Sequence, residues 1–238
     1  MNERAPLPVA LARPEHGRVL VLVPHPDDDV IGCGGTASLH ALQGDPVRIV
    51  IVYDGAAGDP EGKFDAEGLI ERRQAEARAG GVCLGLEDYE FWDYPEGHEP
   101  DDAQFRAGAE RIAQLVREWK PDFVYAPWIG EQHLDHHVLA RIARAGLALA
   151  EFGGRALGYE VWTPLVATEI VDVTRVYPMK IQALKKHESQ VSYGDPTHYG
   201  LGLNAHRSIY LPKGAHFGEA FAPLGESSAE DLGKVGRS

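Results

Sequence analysis

Arg18-Val-Leu-Val-Leu-Val-Pro24-His25-Pro26-Asp27-Asp28-Asp29 carries the reading of the fold. Its first half is an unbroken apolar run ended by a turn residue, the pattern of a strand buried on both faces, as in a parallel sheet. Val47-Arg-Ile-Val-Ile-Val-Tyr53 repeats that pattern. Between the two, Gly34 to Leu42 reads as a short helix closed by Gly44-Asp45-Pro46. Further along, helices are expected over 66–84, 102–119 and 133–151, and strands at Tyr89–Trp92 and Phe123–Pro127. Strands near 156–162 and 167–171 and a helix over about 175–188 follow. Strand and helix alternating in units of ~30 residues imply right-handed crossovers. The expectation is an α/β chain: a three-layer Rossmann-like fold with a mostly parallel central sheet, one domain over 18–222. Residues 1–17 read as an N-terminal extension, and 223–238, rich in Gly, Ser and charge, as a tail that frays.

The bulk numbers exclude several classes. With 36 acids against 23 bases the net charge is −13, which repels phosphate backbones and anionic lipid heads, so neither nucleic acid nor a membrane is expected as partner. No apolar run approaches the ~20 residues of a membrane span. Pro6 and Pro8 break the short apolar stretch near the start, and the pattern of a signal peptide is missing, so a cytoplasmic setting is expected. Cys33 and Cys83 form no C-x-x-C pair, which excludes a cysteine-built zinc knuckle. Cys33 reads as a small core residue. Of 11 histidines, His133, His136 and His137 fall within five positions.

In an open parallel sheet ligands bind outside the carboxyl ends of the strands. After the first strand come His25 and three adjacent carboxylates. Three like charges beside a buried strand repel one another, and a divalent cation would relieve that cost. Imidazole with carboxylate suits zinc or ferrous iron. The competing reading is a solvated turn that caps the next helix. Gly32-Cys33-Gly34-Gly35-Thr36-Ala37 fits the dinucleotide fingerprint G-x-G-x-x-A, with Asp54 about 20 residues on. Residues 25–31 separate the strand from the first glycine, however, and three aspartates would sit where a pyrophosphate needs positive potential. The glycines therefore read as close helix-to-sheet packing. After the strand at 123–127 comes Glu131-Gln-His-Leu-Asp-His-His137. His133 can share a helix face with either His136 or His137, and Asp135 can orient a neighbouring imidazole. Two histidines and a carboxylate make a three-ligand metal site open to water and substrate.

Pro24-His-Pro-Asp-Asp-Asp29 followed by Gly34-Gly35, with His133-Leu-Asp-His136, resembles the LmbE-like, or PIG-L, family of zinc-dependent N-acetylglucosaminyl deacetylases. Arg73-x-x-Glu76 before Leu84-Gly85, Ala183-Leu-Lys-Lys-His187-Glu-Ser-Gln190 and Glu219-Ala-Phe221 extend the resemblance over roughly 18–222. It implies that His25, Asp28 and His136 bind Zn2+, with Fe2+ as an alternative of the same donor preference. It implies Asp27 as general base, His133 held by Asp135 as oxyanion stabiliser or acid, and Arg73 as a contact to the sugar. The implied reaction removes an acetyl group from an N-acetylated amino sugar, a small-molecule partner. Three departures stand out: Asp29 where the family usually has Glu, Leu134 where it often has Pro, and the additional His137. Trp92-Asp93-Tyr94 and His98 at the junction after the third strand, and a loop over 192–200 able to form a lid, mix aromatic and polar groups that suit a sugar ring or an ordinary surface loop equally. His187 and Gln190 suit a supporting role or helix packing. Two other readings of the donor set stay open, a non-catalytic metal sensor and a ferrous oxygenase. So does assembly as a homo-oligomer.

Overall fold

The computed structural model describes residues 6–236. In chain order its elements are β1 (Val9–Leu11), β2 (Val19–Val23), α1 (Asp28–Leu42), β3 (Val47–Tyr53), α2 (Ala66–Leu84), β4 (Asp88–Tyr94), α3 (Asp102–Trp119), β5 (Phe123–Pro127) and α4 (Leu134–Leu149). After them come β6 (Arg155–Tyr159), β7 (Glu169–Asp172), α5 (Tyr177–Leu184), α6 (Glu188–Val191), α7 (Pro196–Arg207), β8 (Gly218–Pro223) and α8 (Ala229–Lys234). The strands form one sheet in the order β1-β7-β8-β6-β5-β2-β3-β4. All pairings are parallel except those of β8, which runs antiparallel to β6 and β7.

The five residues of β2 are all buried, and their side chains divide between the two faces. Val19, Val21 and Val23 join Val30, Leu84 and Leu184 on one side, whereas Leu20 and Leu22 join Phe105, Ile112 and Leu139 on the other. The continuous apolar run is thus the trace of a strand with helices on both faces, and the layers follow as expected. Local signals set the helix ends. Asp65 caps α2, accepting from Gly68 N at 2.8 Å, and Gly85 ends it in the left-handed conformation at φ 75°. Asp101 and Gln104 close a capping box on α3.

Several elements depart from expectation. Helix α1 begins at Asp28 rather than Gly34 and is kinked at Cys33, whose φ of −143° is not helical. Cβ atoms at Gly32 and Gly35 would lie 2.3 Å from the Tyr159 ring and 2.8 Å from Val173, so these glycines are sites of close packing inside a helix. The stretch 192–200 is not a loop throughout. Asp195 accepts from the amides of Thr197 and His198, Pro196 takes the first helical position, and α7 starts there. Strand β8 carries a fully buried Glu219 in mid-sheet, which breaks the apolar pattern by which a strand is read. The segment expected to fray instead folds back. Ser228 caps α8, Asp231 pairs with Arg141 at 2.8 Å, and Leu224 and Val235 join the core; residues 237 and 238 lie outside the described chain. Within the N-terminal extension Val9–Leu11 forms the edge strand β1 beside β7, and residues 1–5 lie outside the described chain. Among the described residues no helix is long and apolar enough to cross a membrane.

Candidate active site

The order of the sheet changes direction at β2, which lies between β3 and β5, so a crevice opens at the carboxyl ends of β2 and β5. The turn after β2 and the loop before α4 therefore meet. Asp28 Oδ2 sits 3.0 Å from His25 Nδ1 and 3.1 Å from His136 Nε2, with all three side chains buried. His133 is the N-cap of α4, accepting from the Asp135 amide, and His136 follows one turn later. Their rings stack with centroids 4.5 Å apart. His137 turns the other way: its Nδ1 lies 2.8 Å from the Ile129 carbonyl. The i,i+3 and i,i+4 choice left open by spacing falls to His136.

The other side of His25 faces two carboxylates. Its Nε2 lies 3.2 Å from Asp135 Oδ2 and 3.1 Å from Glu96 Oε2. Asp135 is fixed by the Gly97 amide at 2.8 Å, and Glu96 by the Ala57 amide. The Asp135 carboxylate stands 3.8 Å from His133 Nδ1, too far for a hydrogen bond, so it orients His25 more directly than His133. Because the Asp135 amide donates to His133 Nδ1 at 3.3 Å, a neutral His133 carries its proton on Nε2.

The three aspartates of the turn have separate environments. Asp28 belongs to the donor set. Asp29 is buried and accepts from the Tyr89 hydroxyl at 2.7 Å. Asp27 keeps an exposed edge, and Arg73 Nη2 stands 3.3 Å from it. Arg73 also donates to the carbonyls of Gly55 at 2.9 Å and Pro26 at 3.4 Å, so most of its donors brace the turn. Burial raises the Asp27 carboxyl to about 6 against the opposing pull of Arg73. Burial likewise raises Asp29 to about 7. For Asp28 burial acts upward, but His136 and His25 outweigh it and hold the carboxyl well below the usual range. Burial pushes His25 and His136 down, yet their carboxylate partners win. His25 ends well above its ordinary value and His136 at about 9. His133 is lowered by burial and by the two other imidazoles.

These groups floor a cavity of about 1150 Å³. Trp162, Tyr193, Tyr199 and Leu203 form much of its wall, and Trp162 meets the His133 ring edge-on at 5.0 Å. His98 is exposed and outside this lining, while its neighbours Glu96 and Gly97 are part of it. Gln190 lines the cavity, whereas His187 is fully buried behind it. Sequence reasoning missed Glu96 and Glu131. Glu131 stands 3.5 Å from His136 Nδ1 and accepts from the Val161 amide at 2.7 Å, which anchors the segment carrying Trp162. Its position two residues before His133 was the available signal; Glu96 offered only its closeness to the end of a strand.

His25, Asp28 and His136 place one donor atom each within 4.8 Å of one another, as do His25, His133 and Asp135. The first set fits a divalent ion better. All three members are buried, and His136 Nε2, though 3.1 Å from Asp28 Oδ2, makes no well-aligned hydrogen bond among the described residues. A buried ring nitrogen and a carboxylate oxygen that close without an aligned hydrogen bond suit two ligands converging on an ion, and two imidazoles with a carboxylate are borderline-metal donors. The family model described as "PIG-L: GlcNAc-PI de-N-acetylase" matches residues 20–147, more than half of the chain. The chain belongs to the PIG-L family. Its relatives include a diacetylchitobiose deacetylase of Thermococcus kodakarensis, 29% identical over 73% of this chain and 70% of that protein. A 1D-myo-inositol 2-acetamido-2-deoxy-alpha-D-glucopyranoside deacetylase of Kineococcus radiotolerans is 31% identical over 75% of this chain and 58% of that protein. Among solved structures, the N,N'-diacetylchitobiose deacetylase of Pyrococcus horikoshii superposes with a TM-score of 0.69 at 25% identity, covering 90% of this chain and 88% of that one. The PIG-L match spans both the aspartate turn and the start of α4, the two segments that build the site.

Proposed function

We propose that this PIG-L chain is a zinc-dependent N-deacetylase that hydrolyses the acetamide of an N-acetylglucosamine unit in a neutral glycoside. The observation that carries the reading is the shared Asp28 oxygen, 3.0 and 3.1 Å from two imidazoles at the floor of the cavity, with Asp27 beside it and outside the donor set. A site that only stored or sensed metal would have no use for that extra carboxylate.

In this reading His25, Asp28 and His136 hold the ion. When bound, a divalent ion supplies Lewis acidity that polarises an amide carbonyl and lowers the pKa of water toward ~7. Asp27, raised to about 6, is poised to take a proton from the attacking water near neutral pH and to pass it to the departing amine. Arg73 holds that carboxylate in place and presents its cavity-facing edge to the sugar. His133, with its proton on Nε2, donates to the developing oxyanion, an interaction whose loss costs ~10²–10³ in rate in comparable sites. Asp135 and Glu96 hold His25 by its Nε2, which leaves Nδ1 toward Asp28.

The wall argues for the class of substrate. Asp27, Asp28, Glu96 and Asp135 face the cavity, and Arg73 is already engaged by one of them. With a divalent ion offsetting two of those four charges and Arg73 a third, the field that remains is weakly negative and favours a neutral aglycone over a carboxylate- or phosphate-bearing one. Trp162, Tyr193 and Tyr199 offer ring faces to a neutral sugar. The free thiols of Cys33 and Cys83 accord with a reducing, cytoplasmic setting. The test is metal content by mass spectrometry together with acetate release from diacetylchitobiose, N-acetylglucosaminyl inositol and an anionic N-acetylglucosaminide. Full metal loading with no acetate from any neutral substrate would refute the reading.

A further inference from the structure

Helix α1 is broken where the site ends. In an unbroken helix the amide of Gly35 would donate to the Ile31 carbonyl and that of Thr36 to the Gly32 carbonyl. The non-helical Cys33 interrupts this ladder. The Gly35 and Thr36 amides donate to the two oxygens of Glu219, at 2.8 and 2.7 Å. The Ile31 carbonyl accepts from Lys180 Nζ at 2.9 Å. Lys180 and Glu219 pair at 2.6 Å, and both side chains are fully buried. The third Lys180 donor goes to Asn204 Oδ1 at 2.8 Å, which leaves no ammonium proton unpaired.

A single buried ion pair therefore bridges the break. Its anion takes the freed amides of the second segment and its cation takes the freed carbonyl of the first. The two residues come from α5 and β8, with Asn204 from α7, so three elements far from α1 in sequence converge on its kink. The Ile31 amide in turn donates to the Asp27 carbonyl at 3.0 Å. From Lys180 the connection to the aspartate turn is thus two hydrogen bonds long.

We propose that Lys180 and Glu219 are positioning residues. They hold the first turn of α1 at the orientation that aims Asp28 at His25 and His136 and turns Asp27 toward the cavity. The proposal rests on Asp28 as a metal ligand. Neither residue touches the donor set, so a purely structural role would alter stability alone.

The test uses the full chain with Lys180→Met and Glu219→Gln combined, which leaves no uncompensated charge in the interior. Ile112→Ala, in the core on the opposite face of the sheet, serves as a control for lost stability. Thermal melting, zinc affinity by chelator competition, and kcat and KM for acetate release are measured for each. The double variant is expected to melt cooperatively, to bind zinc ~10–100-fold more weakly and to lose kcat by a similar factor, the range seen when support behind a ligand is removed. KM should change little, and the control should keep the parental zinc affinity and kcat. A folded double variant with parental zinc affinity and kcat overturns the proposal, as does a control that loses zinc affinity in step with its melting point. Should the double variant fail to fold, Lys180→Met alone, in which a protonated Glu219 carries no charge and still faces the Gly35 and Thr36 amides, decides by the same comparison. A parent that binds zinc but releases no acetate sinks only the deacetylase reading, and zinc affinity still judges the pair. A parent that binds no zinc overturns both.

Discussion

The Arg73 guanidinium lies 3.3 Å from the Asp27 carboxylate, joining the middle of α2 to the turn after β2. The cation faces the aspartate that stands outside the donor set and opposes the upward push of burial on its carboxyl. Two outcomes are expected. Asp27→Asn should keep bound metal yet lower kcat by ~10²–10⁴, the usual worth of a placed general base. Arg73→Met should move the acid limb of kcat/KM to higher pH, because removing the cation raises the Asp27 pKa and the base is then lost sooner on acidification. In the parent that limb is expected at about 6, since a bound divalent ion takes the place of the two imidazolium charges that already lower Asp27. An unmoved limb in Arg73→Met would show that another group sets it.

Metal affinity should rise with pH. Their carboxylate neighbours hold His25 well above its ordinary value and His136 at about 9, so near neutral pH an incoming cation must displace protons from both rings. The sign is fixed: below these values protons compete with metal, and raising the pH removes the competitor. Zinc Kd measured by chelator competition at pH 6, 7 and 8 should tighten by up to ~100-fold per pH unit, the limit for two protons released. An affinity indifferent to pH would contradict the assignment of these rings as ligands.

Glu131→Gln should separate two duties of one side chain. The amide oxygen of Gln can still accept from Val161, so the segment bearing Trp162 keeps its anchor. What disappears is the charge 3.5 Å from His136 Nδ1. Zinc affinity is expected to fall ~10-fold or more with little change in melting temperature. Unchanged affinity would confine Glu131 to anchoring the segment.

His187 makes a prediction about stability, away from the donor set. Burial pushes its imidazole down to about 4, with Arg73 adding to the effect. Above the ordinary pKa near 6.5 the ring is neutral whether the chain is folded or not, and it contributes no pH dependence. As pH falls from about 6.5 to about 4 the unfolded chain takes up a proton that the folded one refuses, so stability drops by up to roughly 3 kcal/mol. His187→Leu removes that slope. Urea unfolding of both proteins at pH 7, 5.5 and 4.5 should show the parent losing stability to acid faster than the variant. Parallel losses would place the proton elsewhere.

Much of the fold could be read locally. The apolar runs at 19–23 and 47–53 declare buried strands because helices cover both faces of the sheet, and periodic segments with good caps, such as Asp101-Asp-Ala-Gln104, declare their helices. Elements that break their own pattern were illegible. Strand β8 holds a charge at 219, tolerable only because Lys180 and two α1 amides reach it from elsewhere. The cap Asp195-Pro196 marks the start of α7, but Gly194 and the turn-forming residues around it give the same local signal as a loop. Helix α8 shows no apolar face long enough to announce itself, and it is held by Arg141 of α4.

For the site, the two clusters were visible because each is contiguous in sequence, and their placement after strands predicted that they would meet at the sheet edge. Their division of labour was not visible. Three consecutive aspartates are chemically identical in the sequence. Only the tertiary structure gives Asp28 two imidazoles, Asp29 a tyrosine hydroxyl and Asp27 a guanidinium. The choice of His136 over His137, the turning of Asp135 toward His25, and the support from Glu96 and Glu131 were decided in the same way. Hydrophobic period and capping act over a few residues, and the sequence therefore settles them alone. Burial, charge pairing and donor direction depend on which strand lies beside which, and that is settled only when the sheet closes around β2 and β5.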